Sequence, residues 1–255
     1  MSIPVARRTL VITPTYNERA SIEEVVARVL AGPVQVDLLV VDDGSPDGTG
    51  QVADRLAAAH PEVHVLHRAR KQGLGSAYRA GFRWGLARDY RVFVEMDADL
   101  SHDPATLPDL VAATHHADLV VGSRYVDGGA TRNWPWHRRL LSRWGNLYVQ
   151  MVTGVPVRDA TSGYRAFQRA VLEELDVESL RSEGYSFQLE TVLRAWREGF
   201  VLSEVPITFV ERSSGTSKIS RAIVLEAVWR VLLWGLRGPR RGGRVHRRSV
   251  VTAGG

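Results

Sequence analysis

The sequence contains no cysteine, and two common nucleotide-binding motifs are also missing from it. The absence of cysteine excludes disulfide bonds and cysteine-ligated metal sites, and it fits a reducing compartment. No Gly-x-Gly-x-x-Gly fingerprint follows the first predicted strand, which argues against an ordinary dinucleotide-dependent oxidoreductase. No Gly-x-x-x-x-Gly-Lys-Ser/Thr motif is present either, which argues against a P-loop nucleotidase.

Long hydrophobic runs are absent as well. A helix needs about 20 mostly apolar residues to cross a bilayer, and the best candidate, 219–236, carries Arg221, Glu226 and Arg230. The first residues have no long apolar core, so we do not expect a signal peptide. The apolar residues of 219–236 fall mainly on one side of a helix. This pattern predicts an amphipathic helix that either packs on the body of the protein or lies in a membrane interface.

Basic charge is concentrated at the end of the chain. The 255 residues carry a formal net charge of +5, with 33 basic and 28 acidic side chains. Six arginines follow residue 236; without them 27 basic residues face 28 acidic ones, a net charge of −1. We therefore expect one domain over 1–236 and a disordered Arg- and Gly-rich tail over 237–255. The tail suits an anionic membrane, nucleic acid or a solubilising role, and the near-neutral body argues against nucleic acid.

The first half of the chain alternates apolar strand segments with helix segments. The predicted strands are 9–13, 36–41, 63–66, 92–96 and 117–122. The predicted helices are 21–30, 48–59, 74–88 and one that begins near Pro104. Apolar strands separated by helices predict an α/β fold, in which a mostly parallel central sheet has helices on both faces.

Polar clusters follow three of these strands, at 14–18, 42–49 and 97–99. Ligands in such sheets bind beyond the carboxyl ends of the strands, where these clusters should meet. Each cluster alone is equally consistent with a solvated or helix-capping turn. Their common position instead predicts a ligand site at that edge.

Two carboxylates, Asp97 and Asp99, lie one residue apart directly after the fourth predicted strand. The chain usually bends at a strand's end, and the bend lets the two side chains converge. Convergent hard oxygen ligands suit Mg²⁺ or Mn²⁺, which keep water and substrate phosphate oxygens as their remaining ligands. The pair therefore predicts a metal-bridged nucleotide site.

The second half of the chain combines tryptophans with clustered arginines in the segment 133–144. Aromatic and cationic side chains together suit an amphiphile with an anionic head group, and an amphipathic helix with solvated arginines is the alternative. Arg124 and the segment 211–218 add cations in loop settings, which suit phosphate. A further polar loop, 159–165, begins with Asp159.

Taken together, these motifs resemble the family 2 glycosyltransferases of the GT-A fold, in particular the dolichol-phosphate mannosyltransferases and the actinobacterial polyprenol monophosphomannose synthases. The matching segments are 14–18, 40–49, 73–78, 95–102, 122–125, 161–167 and 211–218. They span residues 9–236 in a specific order. The resemblance implies a Rossmann-like GT-A single domain with a C-terminal amphipathic helix and a basic tail.

The resemblance also implies a donor site for a nucleotide sugar. Its residues would be Pro14, Tyr16, Glu18, Val41, Asp42, Asp43, Asp97, Ala98, Asp99, Ser101, Arg124, Arg212 and Lys218. Asp97 and Asp99 would hold Mg²⁺ or Mn²⁺ on the diphosphate. Ser101 stands where some members have glutamine, and its shorter side chain is expected to reach the metal through water.

An acceptor phosphate site is implied as well. Its residues would be Arg124, Arg138, Ser142, Arg212 and Lys218, and the catalytic residues would be Asp97, Asp99, Arg124 and Arg212. A phosphate monoester has a second pKa of about 6 and is already a nucleophile near neutral pH. We therefore expect a structural role for Asp159, with a role as general base left open for a hydroxyl acceptor.

The function implied by the resemblance is the inverting transfer of mannose from GDP-mannose to a polyprenyl phosphate. The enzyme would be peripheral at the cytoplasmic face of the plasma membrane, with no nucleic acid partner and with a separate membrane-anchoring protein left open. One alternative is transfer of glucose or an amino sugar from a UDP-sugar. The other is a membrane-surface protein that binds a nucleotide sugar without catalysis.

Overall fold

A central sheet of eight strands organises the computed structural model, which describes residues 8–180, 182–211, 229, 231–235 and 251–252. The strands are β1 (Thr9–Thr15), β2 (Asp37–Asp42), β3 (Val63–His67), β4 (Val92–Glu95), β5 (Leu119–Ser123), β6 (Ala130–Arg132), β7 (Arg165–Gln168), β8 (Leu202–Pro206), β9 (Thr208–Val210) and β10 (Val251–Thr252). The helices are α1 (Ile22–Leu30), α2 (Thr49–Ala59), α3 (Leu74–Leu86), α4 (Leu107–Ala113), α5 (Trp136–Thr153), α6 (Arg169–Glu174) and α7 (Gly184–Arg197).

The strand order in the sheet is β10-β8-β5-β7-β4-β1-β2-β3. Every neighbouring pair is parallel except the two pairs made by β7, which runs antiparallel to β4 and to β5. The prediction of a mostly parallel sheet is therefore confirmed. Strands β6 and β9 form a separate parallel ribbon.

Helices cover both faces of the sheet, as predicted. Side chains alternate along a strand, so neighbouring residues of β1 point to opposite faces. Leu10 and Ile12 belong to a core with Phe82 of α3. Val11 belongs to the core on the other face, with Val25 of α1. This arrangement buries β1 completely in the middle of the protein.

Strand β1 extends further than the sequence predicts, because it passes through Pro14. The Ile12 carbonyl accepts the N–H of Met96 on the β4 side, and the Thr15 carbonyl accepts the N–H of Asp43 on the β2 side. Main-chain groups of successive residues in a strand point alternately to its two neighbours, so the nitrogen of Pro14 points toward β4. The last residue of β4 pairs with Ile12, so β4 does not reach Pro14. The missing N–H of proline therefore costs no ladder hydrogen bond.

The chain after Pro104 is also more irregular than predicted. A short 3₁₀ turn (Pro104–Thr106) precedes α4, and Asp103 Oδ1 accepts the N–H of Ala105 at 3.0 Å. Asp103 thus caps this turn, which is the local role that its position before a proline favours.

Part of the predicted amphipathic helix 219–236 is described. Residues 231–235 are helical, Val231 is buried in the core, and Gly235 lies against Val152 of α5. One side of this segment therefore packs on the body of the protein. Across the described residues, none of the helices has the length and apolar character that would let it cross a membrane.

Most of the C-terminal tail lies outside the described residues, and so does its predicted disorder. Within it the structure describes only Val251–Thr252, which pair in parallel with β8. Arg212 and Lys218 also lie outside the described residues.

A buried acid and a buried base face each other in the middle of the sheet, where Glu95 of β4 is opposite Arg165 of β7. Burial raises the pKa of Glu95 to about 8, although Arg165 acts to lower it. Burial also lowers the pKa of Arg165 to about 10. The Arg165 guanidinium donates to the carbonyls of Ser162, Gln188 and Ala160, so it ties the loop before β7 to α7.

The raised pKa of Glu95 predicts a pH-dependent effect of the Glu95→Gln substitution. The folded protein holds the Glu95 proton more tightly than the unfolded chain, in which the pKa has its ordinary value of 4.5. The stability that this proton contributes is fully present below pH 4.5 and is lost as the pH rises through 8. Because glutamine imitates the protonated carboxyl, the variant should melt close to the parent at pH 5 and above it at pH 8.

Thermal unfolding followed by circular dichroism at both pH values measures this difference. Glu173→Gln, at a partly exposed carboxylate of α6, is the control and should show no such pH dependence. A Glu95→Gln variant that melts lower than the parent by the same amount at pH 5 and pH 8 would show that Glu95 is ionised in the folded protein throughout.

Candidate active site

The carboxyl ends of β1, β2 and β4 bring the three predicted polar clusters together. Thr15 Oγ1 donates to Asp42 Oδ1 at 3.0 Å, and the N–H of Glu18 donates to Thr49 Oγ1 at 3.0 Å. The N–H of Met96, just before Asp97, donates to the Ile12 carbonyl. The predicted meeting of the clusters at one edge of the sheet is therefore confirmed.

Asp42 and Asp43 are both buried, but they have different surroundings. Asp42 accepts hydrogen bonds from Thr15 and from the N–H and hydroxyl of Ser45, so it holds the turn after β2. Asp43 accepts from Arg68 Nη1 at 2.6 Å and from the N–H of Gln72 at 3.3 Å. Burial raises the pKa of Asp43, against the lowering effects of the Gln72 amide and Arg68.

The loop after β3 supplies residues that the sequence reasoning missed. The ammonium of Lys71 lies 4.1 Å from the centroid of the Tyr16 ring, whose side chain is partly exposed. Arg68, besides binding Asp43, donates to Ser76 at 2.6 Å. The signal for this loop was the cluster of cations at Arg68, Arg70 and Lys71 directly after the third strand.

The remaining predicted donor residues lie around the same turns. Pro14 is half-buried in β1, Val41 is buried in β2, and Ala98 is buried between the two aspartates. Glu18 accepts a hydrogen bond from the Ser21 hydroxyl before α1. Of these residues, Pro14 and Glu18 lie with Tyr16 at the carboxyl end of β1, Ala98 follows β4, and the Val41 side chain belongs to the core.

The Asp97–Asp99 turn is held by its neighbours. Tyr78 donates from its hydroxyl to Asp97 Oδ1 at 3.3 Å, and burial with the nearby Asp97 raises the pKa of Tyr78 well above its usual value. His102 Nδ1 accepts the N–H of Asp97 at 3.2 Å, and burial lowers the pKa of His102, so the neutral ring that can accept is favoured. Leu100, at φ +63°, turns the chain so that the N–H of Ser101 donates to Asp99 Oδ1 at 2.9 Å.

The surroundings of Asp97 and Asp99 fit a small divalent cation. A methyl group added at Gly163 would lie 3.7 Å from Asp97 Oδ2, so only glycine hydrogens face that oxygen from this side. The Ser101 hydroxyl is buried and has no hydrogen-bond partner among the described residues, so a water or ligand atom would satisfy it. The described residues contain no group of three His, Cys, Asp or Glu side chains that could hold a metal alone. A cation here would therefore need further ligands from a substrate. Mg²⁺ commonly binds in this way, through one or two carboxylates and the phosphates of a substrate.

A cationic cluster lies on the other side of the turn, after β5. Arg124 is buried and makes a bidentate ion pair with Asp159, which is fully buried. Its guanidinium carbon is 5.2 Å from the Trp134 ring and 5.6 Å from the Phe209 ring. Phe209 also contacts the His102 ring, and the N–H of Val210 donates to the Ser101 carbonyl. The cationic cluster and the Asp97–Asp99 turn are therefore adjacent.

Two further predicted acceptor residues lie on α5 beside Arg124. The guanidinium of Arg138 lies 4.4 Å from the same Trp134 ring and forms an ion pair with Glu211. Ser142 accepts a hydrogen bond of 2.6 Å from the hydroxyl of Tyr125, the residue next to Arg124. The structure thus brings together the described members of the predicted acceptor set. Sequence reasoning missed Tyr125 and Trp134 as the side chains that connect them.

A separate cleft of about 1740 Å³ opens at the amino ends of the strands. Its walls include Arg8, Asp37, Arg91 and Arg169, and none of the predicted site residues lines it. The Asp97–Asp99 pair and the cluster around Arg124 and Arg138 are at the opposite edge, so the chemistry is assigned there.

Comparison with known proteins shows the family of the chain. Residues 10–176 match the family model described as glycosyl transferase family 2. The polyprenol monophosphomannose synthase of Mycolicibacterium smegmatis is 54% identical over 234 residues, which is 91% of this chain and 88% of the relative. The undecaprenyl-phosphate mannosyltransferase of Micrococcus luteus is 52% identical over 229 residues, 90% of this chain and 94% of the relative.

Solved structures share the fold. A mannosyltransferase of Pyrobaculum calidifontis, in complex with GDP-Man and Mn²⁺, superposes with a TM-score of 0.60 at 20% identity, over 93% of this chain and 65% of that one. The predicted GT-A fold is therefore confirmed. On the family match and the two long alignments above, the chain belongs to glycosyl transferase family 2, in the group of the polyprenol-phosphate mannosyltransferases.

Proposed function

We propose that the protein transfers mannose from GDP-mannose to a polyprenyl phosphate, with inversion at the anomeric carbon. The observation that carries this proposal is the adjacency of two unlike sites: a carboxylate pair at Asp97 and Asp99, and a cluster of arginines with a hydroxyl at Arg124, Arg138 and Ser142. The first suits the metal-bound diphosphate of a donor, and the second suits another anion. The names of the two aligned relatives support mannose and a polyprenyl phosphate as the reactants.

On the donor side, Asp97 and Asp99 would hold Mg²⁺ or Mn²⁺, with Ser101 close enough to act through water. When bound, this cation would offset the charge that develops on the departing diphosphate. The Mn²⁺ and GDP-Man in the structural relative support such a pairing. Tyr78 and His102 would keep Asp97 in place through the hydrogen bonds described above, and Tyr16, Lys71 and Asp43 would line the nucleotide pocket.

On the acceptor side, the arginines would bring two anions together. A phosphate monoester is largely dianionic near neutral pH, so its oxygen needs no strong general base. The task is to offset repulsion and to hold the oxygen in line with the anomeric carbon. Arg124, Arg138 and Ser142 are proposed for this task, with Arg212 and Lys218 to complete the site.

Incubation with radiolabelled sugar donors tests the proposed reaction. The full chain should convert GDP-mannose and a short polyprenyl phosphate into labelled lipid, in the presence of Mg²⁺ or Mn²⁺ and not with EDTA. UDP-glucose in place of GDP-mannose should give no labelled lipid. Product from UDP-glucose alone would favour the alternative donor, and nucleotide binding without any product would favour the non-catalytic alternative.

Substitution of Asp99 tests the metal assignment. Asp99→Asn removes the charge that the cation requires, so transfer should fall by about 100-fold or more. The melting temperature should stay near that of the parent, and Mn²⁺ should no longer increase the affinity for GDP in a calorimetric titration. Asp103→Asn is the matched control, because asparagine also caps the 3₁₀ turn. If Asp99→Asn kept near-normal turnover, Asp99 would not be a metal ligand.

We also propose that α5 places the enzyme on a membrane surface. Of the eleven exposed large apolar side chains among the described residues, six lie on α5 and three in 229–233. The α5 members are Trp136, Leu140, Leu141, Trp144, Leu147 and Met151. They form its outer face, while Ser142, Asn146 and Val149 face the site and the core.

The chemistry of the outer face of α5 favours an anionic bilayer as its occupant. Arg139 and Arg143 are exposed on the same helix, beside Trp136 and Trp144. Tryptophan and arginine together suit the boundary between head groups and acyl chains. A peripheral position of this kind, proposed at the cytoplasmic face of the plasma membrane, would bring the phosphate of a membrane lipid to the arginine cluster. A separate protein that anchors the enzyme to the membrane is also proposed.

Introduction of negative charge on the outer face of α5 tests the membrane surface. The double variant Leu140→Glu/Trp144→Glu should lower binding to phosphatidylglycerol vesicles by at least about 10-fold, because each buried apolar side chain contributes roughly 1.5–3 kcal/mol. Leu74→Glu, at an exposed leucine of α3, should leave vesicle binding unchanged. Co-sedimentation measures both variants. Equal binding by the double variant and the parent would remove α5 from the membrane contact.

A further inference from the structure

We propose that Asp159 is a positioning residue, which orients Arg124 toward the acceptor phosphate and takes no proton from the acceptor. This inference rests on the proposed function and deepens it. Asp159 has no exposed surface, and both of its carboxylate oxygens are occupied. Oδ2 accepts the main-chain N–H of Arg124 at 2.9 Å and its Nε–H at 2.7 Å. Oδ1 accepts Arg124 Nη2–H at 2.6 Å and the Thr161 hydroxyl at 3.2 Å.

These four hydrogen bonds favour orientation over proton transfer. The four bonds occupy the lone-pair positions of both carboxylate oxygens, so none is left to receive a proton from the acceptor. The two parallel bonds to Nε and Nη2 fix the plane of the guanidinium as well as its position. Arg124 would otherwise sample many rotamers, and the acceptor phosphate would have to order it on binding.

The position of Asp159 is itself fixed by a neighbouring strand. Glu204 of β8 is buried and accepts the N–H of Arg158 at 2.8 Å and of Asp159 at 3.0 Å. Strand β8 pairs in parallel with β5, whose last residue directly precedes Arg124. Arg124 and Asp159 are therefore attached to adjacent strands, and the pairing of these strands fixes the distance between them.

The same hydrogen bonds reach the other predicted acceptor residues. Thr161 Oγ1 accepts Nη2 of Arg124 at 2.9 Å and Nδ2 of Asn146 at 3.2 Å. Asn146 is buried on α5 and also donates to the Ser142 carbonyl at 3.0 Å. Asp159 and Thr161 thus connect Arg124 with the helix that carries Arg138 and Ser142.

Steady-state kinetics of Asp159→Asn test the proposal, because positioning and base catalysis change different constants. If Asp159 positions Arg124, the KM for polyprenyl phosphate should rise at least about 10-fold, and the KM for GDP-mannose should change by less than about 2-fold. The pH profile of kcat should keep its shape. A large fall in kcat with an altered pH profile and an unchanged acceptor KM would identify a general base and overturn the proposal.

A double-mutant cycle separates positioning from a structural role. In an Arg124→Gln background, Asp159→Asn should raise the acceptor KM no further, since Asp159 acts through Arg124. Independent, multiplying effects would overturn the proposal. Thr161→Val leaves the Arg124–Asp159 ion pair intact, so it tests the same hydrogen bonds in a variant that keeps its buried charges paired. It should raise the acceptor KM by a smaller factor than Asp159→Asn. An unchanged acceptor KM would count against the role of these hydrogen bonds.

Asp118→Asn is the matched control at the other end of β5. Asp118 accepts the N–H of Val201, so this variant should change stability without selective loss of acceptor affinity. If Asp159→Asn and Asp118→Asn had the same effects on the melting temperature and on both KM values, the role of Asp159 would be structural only. A parent protein that transfers no mannose to polyprenyl phosphate would instead refute the proposed function, and the role of Asp159 with it.

Discussion

The direction of the strands in the central sheet is the constraint on which the site depends. Strands β1, β2, β4 and β5 all point the same way, because β7 runs antiparallel to both β4 and β5 and restores the direction across itself. Their carboxyl ends therefore share one edge. Strands β4 and β5 are two strand spacings apart, roughly 10 Å. This gap separates the carboxylates after β4 from Arg124 after β5, so the two sets of opposite charge do not simply neutralise each other.

The antiparallel strand also explains where Asp159 lies. Because β7 runs the other way, its amino end is at the edge where the other strands finish, and the loop that precedes it opens into the site. Asp159 and Thr161 belong to that loop and lie beside Arg124, at the carboxyl end of β5. Arg165, at the start of β7, holds the loop by its bonds to the Ala160 and Ser162 carbonyls. A fully parallel sheet would have placed a strand end here instead of the loop that orients Arg124.

The two arginines of the described acceptor cluster are paired with carboxylates of different burial. Arg124 and Asp159 are both buried, and removal of either partner would leave an uncompensated charge, so this pair is expected to persist. Arg138 and Glu211 are both partly exposed. Water screens a partly exposed ion pair, so such a pair costs less to break than a buried one. On the proposed function, an arriving phosphate dianion would replace Glu211 at Arg138 and would meet an Arg124 that is already oriented.

Local pattern predicted the part of the fold that depends on near neighbours in the chain. The strands and helices from β1 to β5 follow from alternating apolar segments, and the three polar clusters follow from where those segments end. Strand β7 was not predicted, since it is four residues long and begins with Arg165, a residue that is buried only because Glu95 and main-chain carbonyls surround it. The partners of Arg124 and of Asp43 were also beyond local pattern, because Asp159 and Arg68 are brought to them by the sheet and the loops around it.

Helix α5 connects the chemistry of the site with the surface of the protein. At 3.6 residues per turn, a helix presents one set of side chains inward and another outward. Ser142 and Asn146 point toward Arg124 and its loop, while Trp144 and Leu147 are exposed on the other side. Any lipid surface that holds the outer face would therefore lie one helix diameter, about 10 Å, from the arginine cluster. On the proposed function, the phosphate of a membrane-embedded polyprenol would have to rise only about that distance to meet Arg138 and Arg124. A single amphipathic helix would then be enough to bring a lipid acceptor and a water-soluble donor to the same edge of the sheet.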